Sequence, residues 1–311
     1  MTVYRTVLEV GLVPIAGTLI QPAGFPDIGA AEFGDNRLLV ESAQSMANWL
    51  EAATWDTAAS DQAPELADVG IPYVKIVDPA GAFLSSSRLE AHRLASAYIM
   101  EGTFAGTAGE KWMEERLGLV KGRPLDHRAV ARACFRLDPV SLVHGVFFAR
   151  KGWPWQPRIS RAVTSFIEAS GVKPAVSGGV KKDVVINEAE PGATTRGYGM
   201  VPHHRVEYTA DTITAYFTVD HAQFRSYGLP EAATALLEAI ADFEIASLLD
   251  RGMRLRTRCD LIVRDVVQGE RPDAGEAAAR IAKFAADAAG ELGPVTEVVW
   301  SGAGRTAKGK A

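Results

Sequence analysis

The sequence predicts an α+β fold for this chain of 311 residues. Hydrophobic residues make up 47% of it, which is ample material for a globular core. Segments of alternating apolar and polar residues are interleaved with segments of helical periodicity. Two of the strand-like segments, residues 205–208 and 211–220, are separated by so short a turn that they predict an antiparallel pair. Such a pair favours α+β over a doubly wound parallel sheet.

The first hundred residues predict two strands and two helices. An opening strand with one buried face is indicated by apolar residues of one parity, Tyr4, Leu8, Val10 and Leu12. The Gly- and Pro-rich residues 17–36 predict a long loop. There follow a helix over 39–51, a strand over 73–78, and a helix over 85–100 with Ser87 and Glu90 at capping-box spacing.

The rest of the chain continues the alternation. It predicts a strand over 140–150, a helix over 158–171 that ends at Gly171, the strand 211–220, a long helix from Pro230 to Gly252, a strand over 253–267, a helix over 273–293 and a strand over 296–300. Proline in the first turn and glycine past the end make the long helix the best defined of these.

The N-terminus lacks the basic flank and unbroken apolar core of a signal peptide, and no apolar run approaches about 18 residues. We therefore expect a cytoplasmic protein with no membrane partner. The two cysteines, Cys134 and Cys259, lie far apart and outside any CxxC motif. This argues against a disulfide framework or a cysteine zinc site and predicts two buried thiols.

Catalytic motifs are missing from the sequence, which has no GxSxG, HExxH or GxGxxG. His203 and His204 are adjacent, so in a strand they would point to opposite faces and would not share a metal. His144 lies in an apolar segment and is predicted to be a core histidine. Asp27 and Asp35 could hold Mg²⁺ for phosphodiester cleavage, although turn-forming aspartates are the more common case. We therefore expect no enzyme, no cofactor and no metal.

The net charge of −5 argues against an ordinary nucleic-acid-binding protein, but the charge is unevenly distributed. Residues 1–100 carry 5 Lys and Arg against 12 Asp and Glu, whereas residues 150–205 carry 9 against 4. A local basic surface is thus compatible with the acidic total.

Three segments are candidates for contacts with phosphates. They are a strand with arginines at every second position (Arg254, Arg256 and Arg258), one side of the predicted helix 158–171 (Arg158, Arg161 and Ser165), and a glycine-lysine segment (Gly178, Gly179, Lys181 and Lys182). For each, an ordinary alternative stays open: arginines paired with acids such as Asp250 and Asp260, a solvated helix face, and a simple turn.

A fourth candidate is the polar side of the helix 39–51. It carries Ser42, Gln44, Ser45 and Asn48 where soluble proteins usually place lysine and glutamate. Such neutral groups can donate hydrogen bonds to phosphate and sugar oxygens.

The chain resembles a known family, the CRISPR RNA-binding backbone subunits of the RAMP superfamily in type I-G (formerly I-U) Cascade complexes. The matching stretches run in order along the chain: QPAGFPDIGAA, LLVESAQSMANWLE, SSSRLEAHRLAS, DPVSLVHGVF, PRISRAVTSFIEA, SGGVKKD, GYGMVPHHRVEY, AYFTVDHAQFRSYGL and RLRTRCDL. Ala23 and Trp49 depart from the pattern, because Thr and a basic residue are expected there.

The resemblance implies a single domain over residues 1–300 with an RRM-like (ferredoxin-like) palm. It also implies a helical insertion over about 42–130, a β-hairpin thumb over about 181–204 and a flexible tail over 301–311. The implied function is non-catalytic: several copies bind one CRISPR RNA and present its spacer to target DNA, beside a large subunit and a guide-end-capping subunit. A metal-dependent RNA endonuclease on the same fold is the alternative.

By the same resemblance, further residues are expected to contact the RNA in addition to the four groups above. They are Gln21, Gly24, Phe25, Arg88, Arg93, Arg196, His203, Arg205 and Arg225.

Overall fold

The computed structural model describes residues 3–25, 29–181 and 201–302. The strands are β1 (Arg5–Pro14), β2 (Gly24–Phe25), β3 (Gly29–Ala30), β4 (Glu32–Phe33), β5 (Arg37–Glu41), β6 (Trp55–Asp56), β7 (Asp61–Gln62), β8 (Val74–Val77), β9 (Phe83–Ser86), β10 (Thr103–Phe104), β11 (Thr107–Ala108), β12 (Val146–Phe147), β13 (Arg158–Ile159), β14 (Val163–Ser170), β15 (Lys173–Lys181), β16 (Val201–Thr209), β17 (Thr212–Asp220), β18 (Met253–Arg256), β19 (Cys259–Gln268) and β20 (Thr296–Val299). The helices are α1 (Ala43–Ala52), α2 (Pro64–Ala67), α3 (Ala97–Glu101), α4 (Gly109–Arg116), α5 (His127–Leu137), α6 (Val140–His144), α7 (His221–Ser226), α8 (Glu231–Arg251) and α9 (Ala274–Asp287), with a short 3₁₀ helix at Arg93–Ala95.

The largest sheet has seven strands in the order β18-β19-β1-β17-β14-β5-β4, with neighbouring strands antiparallel. β17 lies at its centre and has the alternation that the sequence predicts. Ile213, Ala215, Phe217 and Val219 are buried on one face, and Thr214, Tyr216 and Thr218 are half-exposed on the other. The α+β class is therefore confirmed.

One face of this sheet is covered by helices. α8 is flanked by Pro230 and Gly252, as predicted, and α1, α6, α7 and α9 all pack against it. α1 and α6 also contact β14, and α7 contacts β1. The long helix is nearly surrounded by protein, and its buried residues include Leu237, Ile240 and Phe243. The main core thus lies between the helices and the inner face of the sheet.

A second sheet has five strands in the order β11-β10-β20-β8-β9, in which β20 and β8 are parallel. It includes the strands predicted over 73–78 and 296–300. A separate two-stranded ribbon pairs β15 with β16, and residues 182–200 between them lie outside the described part. Most of the predicted thumb, and residues 303–311 of the predicted tail, therefore lie outside it too.

The predicted pairing of residues 205–208 with 211–220 is wrong. β16 pairs with β15, because both edges of β17 are already occupied, one by β1 and the other by β14.

The helix predicted over 158–171 is also wrong, because residues 163–170 form the strand β14. Its burial alternates with a period of two: Val163, Ser165, Ile167 and Ala169 are buried, and the residues between them are half-exposed. β17 and β5 hydrogen-bond its two edges, so tertiary pairing overrides an apolar spacing that also fits a helix.

Three further segments differ from prediction. Residues 140–150 form α6 and then β12, because Gly145 at φ 80° ends the helix. Residues 85–100 form the end of β9, a turn, a 3₁₀ helix and α3. Glu90 accepts hydrogen bonds from Ser85 and Ser96 rather than capping a helix at Ser87. Residues 253–267 form the hairpin β18–β19 rather than one strand. In the described residues, no helix is both long and apolar enough to cross a bilayer.

Candidate nucleic-acid interface

A groove of about 710 Å³ lies where α1 meets the hairpin β12–β13 and the segment before β14. Gln44 and Asn48 line it from the helix, and Arg158 and Arg161 line it from the other side. The structure thus brings together five of the residues predicted from sequence to contact RNA, these four and Arg93, which is buried in the floor of the groove. Gln44, Asn48 and Arg158 are exposed and Arg161 is half-buried.

The helix α1 presents neutral donors to this groove because of how its faces are divided. Met46, Ala47 and Leu50 are buried against the core, and Gln44 and Asn48 lie one turn apart on the exposed side. Ser42 is the N-cap, whose hydroxyl oxygen accepts a hydrogen bond from the amide of Ser45 at 3.3 Å. The four polar residues predicted as one surface therefore have two roles. Two line the groove, and two begin the helix.

The two groove arginines carry positive charge that no acidic side chain of the described residues neutralises by an ion pair. Partial burial, and then the nearby charge of Arg93, lower the pKa of Arg161, while Glu51 opposes the shift. These surroundings disfavour the charged form of Arg161, so an anion that enters the groove would stabilise its guanidinium. Residues 145–162, which frame this side, include four Lys or Arg and no Asp or Glu.

A buried network of ionisable side chains forms the floor of the groove. Arg93 donates two hydrogen bonds to Glu51, at 2.6 and 2.7 Å, and one to the carbonyl of Gly145 at 3.2 Å. His144 Nε2 lies 2.8 Å from a carboxylate oxygen of Glu244, and both side chains are fully buried. Burial raises the pKa of Glu51, against the opposing effects of His144 and Arg93.

This network corrects one prediction and confirms another. Arg93 is only 5% exposed and its guanidinium is bonded inside the protein, so it is not available to RNA. His144 is the core histidine that the sequence predicts, although it lies in a helix rather than a strand. Both cysteines are buried, as expected.

Arg88 and Ser165 are likewise removed from the predicted surface. Arg88 donates to Asp138 at 2.8 Å, and both side chains are almost completely buried. Ser165 is 2% exposed, on the inner face of β14. Ser165 was assigned to RNA on one side of a helix that does not form, and Arg88 was assigned by the family resemblance.

The three arginines predicted on one strand face have three different environments. Arg254 is exposed, and a bulge separates it from Arg256. Arg256 bonds Glu41 at 2.5 Å, the carbonyl of Val40 at 2.7 Å and the carbonyl of Gln21 at 2.8 Å. It therefore joins the loop after β1 to the end of β5, where α1 begins.

Arg258 lies in the turn after β18, outside the strand. It pairs with Glu207, which is 4% exposed in its side chain and also lies 3.6 Å from Arg205. The alternative of arginines paired with acids is thus correct for Arg256 and Arg258, although the acids are Glu41 and Glu207 rather than those named from sequence.

The remaining predicted residues lie away from the groove or outside the described part. Arg225 donates to the carbonyl of Val3 at 2.9 Å and lies over the ring of Tyr4. At Gly24, an added Cβ would lie 2.7 Å from the carbonyl of Gly29, so the close pairing of β2 with β3 requires glycine. Only the backbone is described for Phe25, Gly179, Lys181 and His203, Gly178 is exposed in β15, and Lys182 and Arg196 lie outside the described residues.

Within the described ranges, no group of three or more His, Cys, Asp or Glu is arranged to hold a metal ion. Asp27 lies outside the described residues, and Asp35 is exposed.

Sequence reasoning missed several groove residues, among them Phe147 and His92. Phe147 was placed in the strand predicted over 140–150 and given no role, and it is 49% exposed. The acid-free run 145–162, with its exposed aromatic residues, was the signal that could have identified this side of the groove.

Comparison with known proteins gives three findings. No curated protein sequence matches the chain. A solved structure described as a CRISPR RNA-guided surveillance complex, pre-nicking, contains a chain that is similar at 12% identity and a TM-score of 0.36, covering 78% of this chain and 68% of that one. A similarity this low supports no functional argument. The model of the family described as CRISPR-associated protein GSU0053 matches residues 6–174, which is more than half of the sequence, and the chain therefore belongs to that family.

Proposed function

We propose that this protein is a non-catalytic backbone subunit of a type I-G Cascade complex, which binds CRISPR RNA in several copies and presents the spacer to target DNA. Membership of a CRISPR-associated family supports this proposal. The observation that carries it is the groove in which Arg158 and Arg161, without acidic partners in the described residues, face Gln44 and Asn48.

The chemistry of the groove suits an RNA backbone. Arginines neutralise phosphates, and uncharged amides donate to phosphate and sugar oxygens without reading bases. Base pairing supplies the sequence specificity of RNA-guided complexes, so the protein needs only such contacts. The remaining partners of the proposal are further copies of the chain, a large subunit and a guide-end-capping subunit.

The architecture is compatible with the same proposal. An antiparallel sheet covered by helices on one face supports an RRM-like palm. The ribbon β15–β16, whose strands lead to and from residues 182–200, supports a thumb that begins there.

The test is the salt dependence of binding to single-stranded RNA. Each phosphate contact contributes a slope of about −0.7 to log K against log salt concentration. The double variant Arg158→Ala, Arg161→Ala should therefore bind more weakly and reduce the slope by about 1.4. Filter binding over a range of salt concentrations measures both quantities.

The control is Lys111→Ala, Arg116→Ala, which removes the same charge from α4, outside the groove. It should bind like the parent protein. Equal losses in the two double variants, or affinity that does not respond to salt, would refute the proposed groove. Site-specific cleavage of a matched RNA in Mg²⁺, abolished by Asp27→Ala or Asp35→Ala, would replace the proposal with a nuclease.

A further inference from the structure

The hairpin β12–β13 places an aromatic ring at the groove. Val146 pairs with Ile159, and both side chains are buried, whereas Phe147 pairs with Arg158 and both are exposed. Phe147 is 49% exposed, although its neighbours Val146 and Phe148 are buried. The strand therefore turns this ring outward and into the groove that Arg158 and Arg161 also line.

The ring has a free surface that most other described aromatic side chains lack. Trp112 is stacked on Phe104, and Tyr98 packs edge-on against Trp300. Within the described residues Phe147 packs against no other aromatic ring, and its close neighbour is the guanidinium of Arg158, with Cζ 5.9 Å from the ring centroid. That distance is near the limit of a cation–π contact, so the pair is loose.

We infer that Phe147 is a stacking platform for one unpaired nucleobase of the RNA in the groove, with the adjoining phosphates held by Arg158 and Arg161. This inference rests on the proposed function. An aromatic ring beside cations is the combination that holds single strands without sequence preference, because every base has a π face. A duplex offers this ring no free base face, since its internal bases are already stacked on each other. The groove therefore selects single-stranded RNA.

The experiment uses the full chain and two short probes with the same number of phosphates. One is a single-stranded RNA that contains 2-aminopurine, placed at successive positions in separate strands, and the other is an abasic strand. Phe147→Ala should weaken binding of the base-bearing strand by about 5- to 150-fold. It should leave the affinity for the abasic strand unchanged. At one position, 2-aminopurine fluorescence should be quenched by the parent protein and not by Phe147→Ala.

Two variants serve as controls. Phe33→Ala removes an exposed phenylalanine of similar exposure, 39%, from β4, away from the groove, and should bind both probes like the parent. Phe147→Tyr keeps the ring and should keep the affinity and the quenching. If Phe147→Ala binds the base-bearing strand as well as the parent does, the stacking site is refuted and the proposed function stands. If the parent protein binds neither strand, both the stacking site and the proposed function are refuted.

Discussion

The contacts of Arg256 indicate a structural role rather than the RNA contact predicted from sequence, and Arg256→Ala tests this directly. The guanidinium donates to the carboxylate of Glu41 and to the carbonyls of Val40 and Gln21, at 2.5 to 2.8 Å. Glu41 is 2% exposed, and its second oxygen accepts from the amide of Ser42. The substitution therefore leaves a buried carboxylate without its counter-ion at the point where α1 begins.

The magnitude follows from the burial of the two partners. Removing one member of a buried ion pair costs about 3–5 kcal/mol. The side chain of Arg256 is 24% exposed, so water can reach part of the vacated space and reduce the loss. We expect the free energy of unfolding to fall by about 2–4 kcal/mol. Arg256→Lys keeps the charge but not the planar guanidinium. Its free energy of unfolding should therefore lie between those of the parent and of Arg256→Ala.

Urea unfolding followed by the fluorescence of the six tryptophans measures the change. Adding Glu41→Gln to Arg256→Ala should recover about 1–2 kcal/mol, because the unpaired charge is then removed. Arg254→Ala on the same strand is the matched control. Its side chain is exposed, so it should change stability by less than about 0.5 kcal/mol. A loss that small in Arg256→Ala, together with weakened RNA binding, would refute the structural role.

Three further variants have effects that depend on separate features. Arg88→Ala leaves the buried carboxylate of Asp138 unpaired and should lower the free energy of unfolding by about 3–5 kcal/mol, measured by urea denaturation. Ser42→Ala removes the N-cap of α1 and should cost about 1 kcal/mol in the same assay. Gly145→Ala combines φ 80° with a Cβ only 2.7 Å from the carbonyl of Ile159, so it should lower the thermal midpoint and weaken RNA binding together. An unchanged midpoint would contradict the close approach at Gly145.

The candidate site was partly predictable because some of its signals are local. Gln44 and Asn48 share an exposed helix side that can be read from a ten-residue segment. Arg158 and Arg161 were selected for their charge, but on a predicted helix that proved to be a hairpin strand and a loop. They still reach the groove because β13 and β14 bring them to its edge. Phe147 could not be recognised, since its exposure depends on the pairing of β12 with β13.

The sequence by itself determined the α+β class, the strand β17 and the limits of α8, because alternation, a first-turn proline and a terminal glycine act over a few residues. Only the tertiary structure decided which arginines are free. Arg93, Arg88 and Arg256 find their carboxylates 42, 50 and 215 residues away in sequence. No local sequence pattern indicates such partners, because an ion pair forms where the folded chain brings opposite charges together out of water. The groove arginines Arg158 and Arg161 have no such carboxylate among the described residues, which is why the proposed function assigns them to the RNA.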